Sequence, residues 1–254
     1  MNKIFDNIII SPHVDDAFLS LGGFLSGSHR KNKIINIFSY SNYAVFSKDL
    51  TTETVSEIRR KEELLNCDIT KTNVNFLGVC EGRLRGYKKW DSEPLWFAEE
   101  KLITALTSTI SREIKTTKRI FFPMAIGHHT DHLIMSNIGL KLAQKFDNIQ
   151  FYEDMPYVAY NKLRRYSAIN PILHQRYLSS ELLQYSPKAK SLLCSNYESQ
   201  LKPGQKNKIL RYGNLLSRDK NMYYERVFSI KNKDILKSKA PDNFINLTRN
   251  ELSK

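Results

Sequence analysis

Two short stretches, far apart in the chain, hold the residue types that hydrolytic and metal chemistry use. Ser11-Pro12-His13-Val14-Asp15-Asp16-Ala17 offers one imidazole and two adjacent carboxylates, and Gly127-His128-His129-Thr130-Asp131-His132 offers three imidazoles and a carboxylate. Such ligands suit zinc, with iron(II) and other borderline cations as alternatives. A catalytic metal site needs three protein ligands and an open position for water, and His13, Asp16 and His132 supply that set. Asp15 is then available to take a proton from a water whose pKa the metal has lowered, giving a hydroxide able to attack a carbonyl. His129 and His132 are three apart and share a face at a helix start, so His129 would stand beside the site to stabilise an oxyanion or protonate a departing amine. Asp131 is placed to orient His129. His128 offers a competing register as ligand. Each piece has a structural alternative, a hydrogen-bonded histidine or a helix-capping aspartate; the conjunction of two clusters favours the metal.

The surrounding pattern says how two distant clusters meet. Each follows an apolar run, Asn7-Ile8-Ile9-Ile10 and Ile120-Phe121-Phe122-Pro123. Runs this short and apolar read as buried strands, which places both clusters at the carboxyl edge of a sheet, where open α/β folds bind ligands. Strand signals at 8–11, 33–39, 74–77, 119–122 and 149–152 alternate with helix signals at 18–28, 53–67, 93–114 and 131–146. This rhythm predicts a Rossmann-like, three-layer α/β fold with a mostly parallel sheet. After Asp154 the rhythm breaks. Residues 155–185 show no clear period, 187–200 read as a helix and 224–230 as a strand, while 231–254 form a polar tail. The expected organisation is one domain over 1–230, with a core to 154 and a C-terminal elaboration over 155–230. No G-x-G-x-x-G follows the first strand, and two acids there would repel a pyrophosphate, which disfavours a dinucleotide cofactor. Gly22-Gly23 is read as permitting close packing of the first helix on the sheet.

The chain has 254 residues and a formal net charge of +13. Residues 1–160 hold 20 Lys+Arg against 19 Asp+Glu, and residues 161–254 hold 19 against 7, so the charge lies in the C-terminal third. That asymmetry suggests either an anionic partner, a phosphate-bearing substrate or a membrane surface contacted peripherally, or equally a solvated basic surface with lysines spread over helices. Zinc-finger spacing and RNP-type motifs are absent, and nucleic acid is not expected. Three scattered cysteines, Cys67, Cys80 and Cys194, fit reduced thiols. No apolar stretch reaches bilayer length, and the first residues do not resemble a secretory signal, so a cytoplasmic location is expected. The polar stretch Tyr40–Thr52 reads as a loop able to close over a substrate.

Ser-Pro-His-Val-Asp-Asp-Ala with Gly22-Gly23 after it, and Gly-His-His-Thr-Asp-His, resemble the PIG-L/LmbE-like N-deacetylase family. Further likeness lies in Arg59-Arg60-Lys61-Glu62-Glu63, matched best to an Arg-x-x-Glu helix at Arg60 and Glu63, in Phe76-Leu77-Gly78 with Glu81-Gly82, and in Tyr152-Glu153-Asp154-Met155-Pro156-Tyr157. The resemblance implies a zinc hydrolase of Rossmann-like fold that removes acyl groups from N-acetylated amino sugars. It implies zinc ligands at His13, Asp16 and His132, a general base at Asp15, a pair handling the oxyanion or leaving group at His129 and Asp131, and sugar contacts at Arg60 and Glu81. Val14, Ala17 and Glu81 depart from the commonest family form, which bears on the substrate rather than on ligands or base. The expected substrate is an N-acetylated amino sugar of a glycan or antibiotic-type pathway, nucleotide- or lipid-linked in its anionic form. A metal amidohydrolase or deformylase of a non-sugar amide, and a binding protein that keeps the fold without turnover, are the alternatives.

Overall fold

The computed structural model describes residues 4–46, 49–89, 94–160, 178–231 and 236. Five strands, β1 (Asn7–Ser11), β2 (Asn32–Asn36), β3 (Asn73–Phe76), β4 (Arg119–Pro123) and β5 (Ile149–Tyr152), pair in parallel in the order β3-β2-β1-β4-β5. Helices α1 (Asp16–Gly27), α2 (Thr52–Thr70), α3 (Trp96–Glu113) and α4 (Thr130–Ala143) occupy the crossovers. Every residue of β1 and β2 is buried, as a parallel sheet covered on both faces requires. The order reverses between β1 and β4, and at such a switch point the loops leaving the two strands diverge and open a crevice. Both acid/imidazole clusters lie on those loops.

The C-terminal third completes the same sheet. β7 (Tyr224–Ile230) lies antiparallel to β5, and β6 (Leu178–Gln184) antiparallel to β7, giving a seven-stranded sheet among the described residues. Helices α5 (Tyr157–Tyr160), α6 (Pro187–Ser195) and α7 (Gln205–Leu215) accompany them. The patternless stretch 155–185 thus contains a strand. β6 is an edge strand whose central residues are all exposed, so it carries no alternation to read. α7 is likewise absent from the sequence expectation, having few buried positions, and the helix expected over 187–200 ends at Ser195. The polar tail, apart from Lys231 and Leu236, and residues 161–177 of the expected elaboration lie outside the described residues.

α1 is broken at Leu21, where φ is −123°. A break orphans backbone groups that the helix would otherwise pair. Here Glu225 of β7 accepts from Gly23 N at 2.9 Å and Phe24 N at 2.8 Å, while Lys190 of α6 donates to the Phe18 carbonyl at 2.9 Å. The two side chains, buried together, form an ion pair at 2.5 Å. The glycines permit close packing at this break: a Cβ on Gly23 would sit 2.4 Å from the ring of Tyr185, which directly follows β6, and one on Gly22 3.3 Å from Leu193 of α6.

Candidate metal centre

β1 ends at Ser11, whose hydroxyl donates to His13 O at 2.7 Å and accepts from Ala17 N at 3.0 Å, pinning the turn between strand and helix. Asp16 accepts from His13 N at 2.8 Å. Between them Asp15 has φ 153° and ψ −33°, a conformation that side-chain-bearing residues rarely adopt. From β4, the loop through Gly127 leads to α4, where His129 is the N-cap and its Nδ1 accepts from Asp131 N at 3.2 Å. A Cβ on Gly127 would lie 2.7 Å from the Tyr157 ring, so only glycine fits where α5 closes on the loop.

Three side-chain atoms from the two clusters meet at one point. His13 Nδ1 lies 3.1 Å from Asp16 Oδ2, His132 Nε2 lies 3.0 Å from the same oxygen, and the two nitrogens are 3.3 Å apart. Ligands of a tetrahedral zinc with bonds near 2.05 Å stand about 3.3 Å from one another, so this triangle has the size such a site needs. A looser group, His13, His129 and His132, has ligand atoms within 4.8 Å of one another. The set containing Asp16 is the tighter of the two and includes a carboxylate, and we favour it on both grounds. His128 adopts φ 61° in the loop and belongs to neither set.

Each of the two imidazoles is held from behind. His13 Nε2 faces Asp131 Oδ2 at 2.8 Å, and His132 Nδ1 faces Asp154 Oδ1 at 2.5 Å. A carboxylate accepting from one ring nitrogen fixes the tautomer and turns the other nitrogen, with its lone pair, towards a cation. Asp154 also accepts from Ile126 N at 2.9 Å, and Asp131 Oδ2 from Gly82 N at 2.9 Å, while Asp131 Oδ1 forms an ion pair with Arg85 Nη2 at 2.8 Å. The position of Asp131 differs from the sequence expectation. Its carboxylate serves His13 rather than His129, which it meets through the main chain. Asp154 has no role in the sequence expectation. Its signal is its place two residues beyond the β5 run, at the same carboxyl edge as His13.

The electrostatics favour positive charge at this point. Burial opposes charging of His13, but hydrogen bonds to Asp131 and Asp16 outweigh it and push its pKa up to about 9. Burial likewise opposes charging of His132, and the Asp16 and Asp154 carboxylates drive it the other way, well above its ordinary value. Asp16, although buried, is held below the usual carboxylate range by the two imidazoles. A field that stabilises protonated imidazoles stabilises a metal cation by the same attraction, so the residues present fit one. His129 is different: burial and the charges on His13 and His132 push its pKa well down, leaving it neutral. Burial and the Asp16 charge push the Asp15 carboxyl up to about 7.

These groups line a cavity of about 780 Å³ whose floor holds His13, Asp15, Asp16 and His129. Arg59, buried on α2, donates to Ser41 Oγ at 2.6 Å and Val14 O at 3.3 Å, and stands 3.6 Å from Asp15 Oδ1 and 3.7 Å from Glu81 Oε2. Glu81 lines the cavity and accepts from Asn42 N at 3.1 Å. Arg60 does not reach it: its guanidinium is exposed and lies over the Phe76 ring at 4.8 Å. The arginine at the cavity is therefore Arg59. Glu63, matched with Arg60 to the Arg-x-x-Glu helix, is buried on α2 against Asn36 and Tyr197.

A doubly wound sheet with a His–Asp–His triangle at its switch point, each imidazole backed by a carboxylate, defines a class of α/β proteins with a metal-type centre. Residues 8–143 match the family described as GlcNAc-PI de-N-acetylase, PIG-L. The chain belongs to that family. It is 27% identical over 158 residues to 2'-N-acetylparomamine deacetylase of Streptomyces fradiae, a match covering 59% of this chain and 57% of that protein. The chain thus spans little more than half the length of this curated relative. A deacetylase of the teicoplanin biosynthesis pathway superposes with a TM-score of 0.71 at 18% identity, covering 87% of this chain and 96% of that one. The zinc inhibited form of a teicoplanin deacetylase gives 0.68 at 17% identity, with 87% and 96% covered. Both structures share the fold. Among the described residues, no helix is long and apolar enough to cross a membrane.

Proposed function

We propose that this protein is a metal-dependent N-deacetylase that hydrolyses the N-acyl amide of an amino sugar or glycoconjugate precursor. The observation that carries the reading is the triangle of His13 Nδ1, Asp16 Oδ2 and His132 Nε2, with edges of 3.0–3.3 Å. Those three residues would hold a zinc or similar ion, which when bound supplies Lewis acidity that makes water a nucleophile near neutral pH and polarises the amide carbonyl. Asp15 stands beside the triangle and takes the proton of the attacking water. Its strained backbone aims the side chain into the cavity, and the Arg59 guanidinium keeps the carboxylate from turning away. His129 accepts from Asp131 N through Nδ1, so as a neutral ring it carries its proton on Nε2, which would donate to the carbonyl oxygen as negative charge gathers there. The proton held by Asp15 passes to the departing nitrogen, and acetate and free amine result. Arg59 and Glu81 are placed to bind sugar hydroxyls. Residues 1–230 act as one domain, because β6 and β7 extend the sheet that carries the site.

The direct test is to incubate zinc-loaded protein with a panel of N-acyl amino sugars, free and conjugated, and to assay released primary amine. Asp15→Asn should abolish release while retaining the metal. Metal-loaded wild type that releases amine from no member of the panel refutes the reading.

A further inference from the structure

The cavity's cations are unevenly satisfied. Arg59, on the floor, is matched by Asp15 and Glu81. Arg83, in the 3-10 turn Gly82–Arg85, and Lys88 and Lys89, just after it, are exposed and make no ion pair with the described residues. Among the described residues the acids lining the cavity are Asp15 and Asp16 at the metal centre and Glu81 beside Arg59, and none of these neutralises that wall. Tyr43, Tyr157 and Tyr160 also line the cavity. Exposed lysines usually scatter over a surface. Three cations that pair with no described acid and line one concavity concentrate positive potential where a ligand must enter.

We propose that Arg83, Lys88 and Lys89 form an anion subsite, and that the substrate is an N-acetylated sugar bearing a phosphate or carboxylate group. The guanidinium suits bidentate contact with such a group, and the two ammonium groups add charge. The same wall repels a sugar carrying further ammonium groups, so a polyamine substrate like that of the paromamine relative is disfavoured. Charge asymmetry in the sequence pointed to residues 161–254, but among the described residues every cation lining the cavity precedes them. The proposal rests on this cavity being the amide-hydrolysing site.

Its test compares equilibrium binding and amine release for N-acetylglucosamine, its 1-phosphate, its 6-phosphate and the corresponding uronate. From exposed charge pairs, at least one anionic sugar should bind about 3- to 100-fold more tightly than the neutral one. The preference should vanish in about 1 M salt, where the Debye length falls to about 3 Å. It should also collapse in the Arg83→Gln/Lys88→Gln/Lys89→Gln variant. Whether the phosphates or the uronate gain more identifies the anionic group. Equal binding of neutral and anionic sugars, or a preference that survives the triple substitution, overturns the proposal. Anionic preference without amine release supports the subsite and refutes the hydrolase reading. Amine release without anionic preference does the reverse.

Discussion

Replacing Asp131 by Asn separates two accounts of what this carboxylate does. Two hydrogen-bond partners and a cation converge on its oxygens: His13 Nε2 at 2.8 Å and Gly82 N at 2.9 Å on Oδ2, and Arg85 Nη2 in an ion pair with Oδ1 at 2.8 Å. A carboxamide has one oxygen and one amino group, so at least one donor must face another donor. If the oxygen stays on His13 and Gly82, the amino group opposes Arg85. If it turns to Arg85, His13 loses the acceptor that fixes its tautomer. In either case the negative charge behind His13 is gone. Loss of such a partner typically lowers metal affinity about 10- to 100-fold, or about 1.4–2.7 kcal/mol. A buried donor left unpaired costs the fold about 1–3 kcal/mol in addition. Competition of zinc against a chromophoric chelator measures the first effect, and circular dichroism confirms that the variant is folded. Had Asp131 served His129 alone, metal affinity would be unchanged and only turnover would fall. A folded Asp131→Asn protein that binds zinc as tightly as wild type refutes the role of this carboxylate behind His13.

Arg59→Gln should lower kcat/KM by about 10- to 100-fold, the worth of one or two charged hydrogen bonds, while Arg60→Gln should stay within about twofold; steady-state amine release on one substrate decides between them. Lys190→Met leaves Glu225 charged, buried and without its cation, and should destabilise the fold by about 3–5 kcal/mol, a fall in Tm of roughly 6–20 °C. A partial recovery in Lys190→Met/Glu225→Gln would show that the unpaired charge was the cause. Burial raises the Glu63 carboxyl from its ordinary 4.5 to about 7, so ionising it costs stability as pH rises through that window. Glu63→Gln should therefore gain on wild type between about pH 4.5 and 7, and parallel melting curves across that range would contradict this.

Local sequence determined much of this protein. The apolar runs of β1, β4 and β5 are strands because a short, largely buried segment has few other solutions, and the His/Asp clusters follow β1 and β4 directly in sequence. With the strand–helix alternation, that adjacency by itself brings both clusters to one sheet edge. Tertiary structure decided the partners. In a helix each residue advances about 100°, so the choice between Arg59 and Arg60 is a choice between cavity and solvent that a loose motif match cannot make. Asp131 is next in sequence to Thr130 and His132, yet its carboxylate answers His13 from 118 residues away, together with Gly82 and Arg85. Asp154 joins from a third strand, and β6 left no periodic trace because an exposed edge buries neither face. Periodicity records burial of a face. Which charged atoms meet is settled only when separate elements pack, because the energy of an ion pair or hydrogen bond depends on distances that no spacing along the chain encodes.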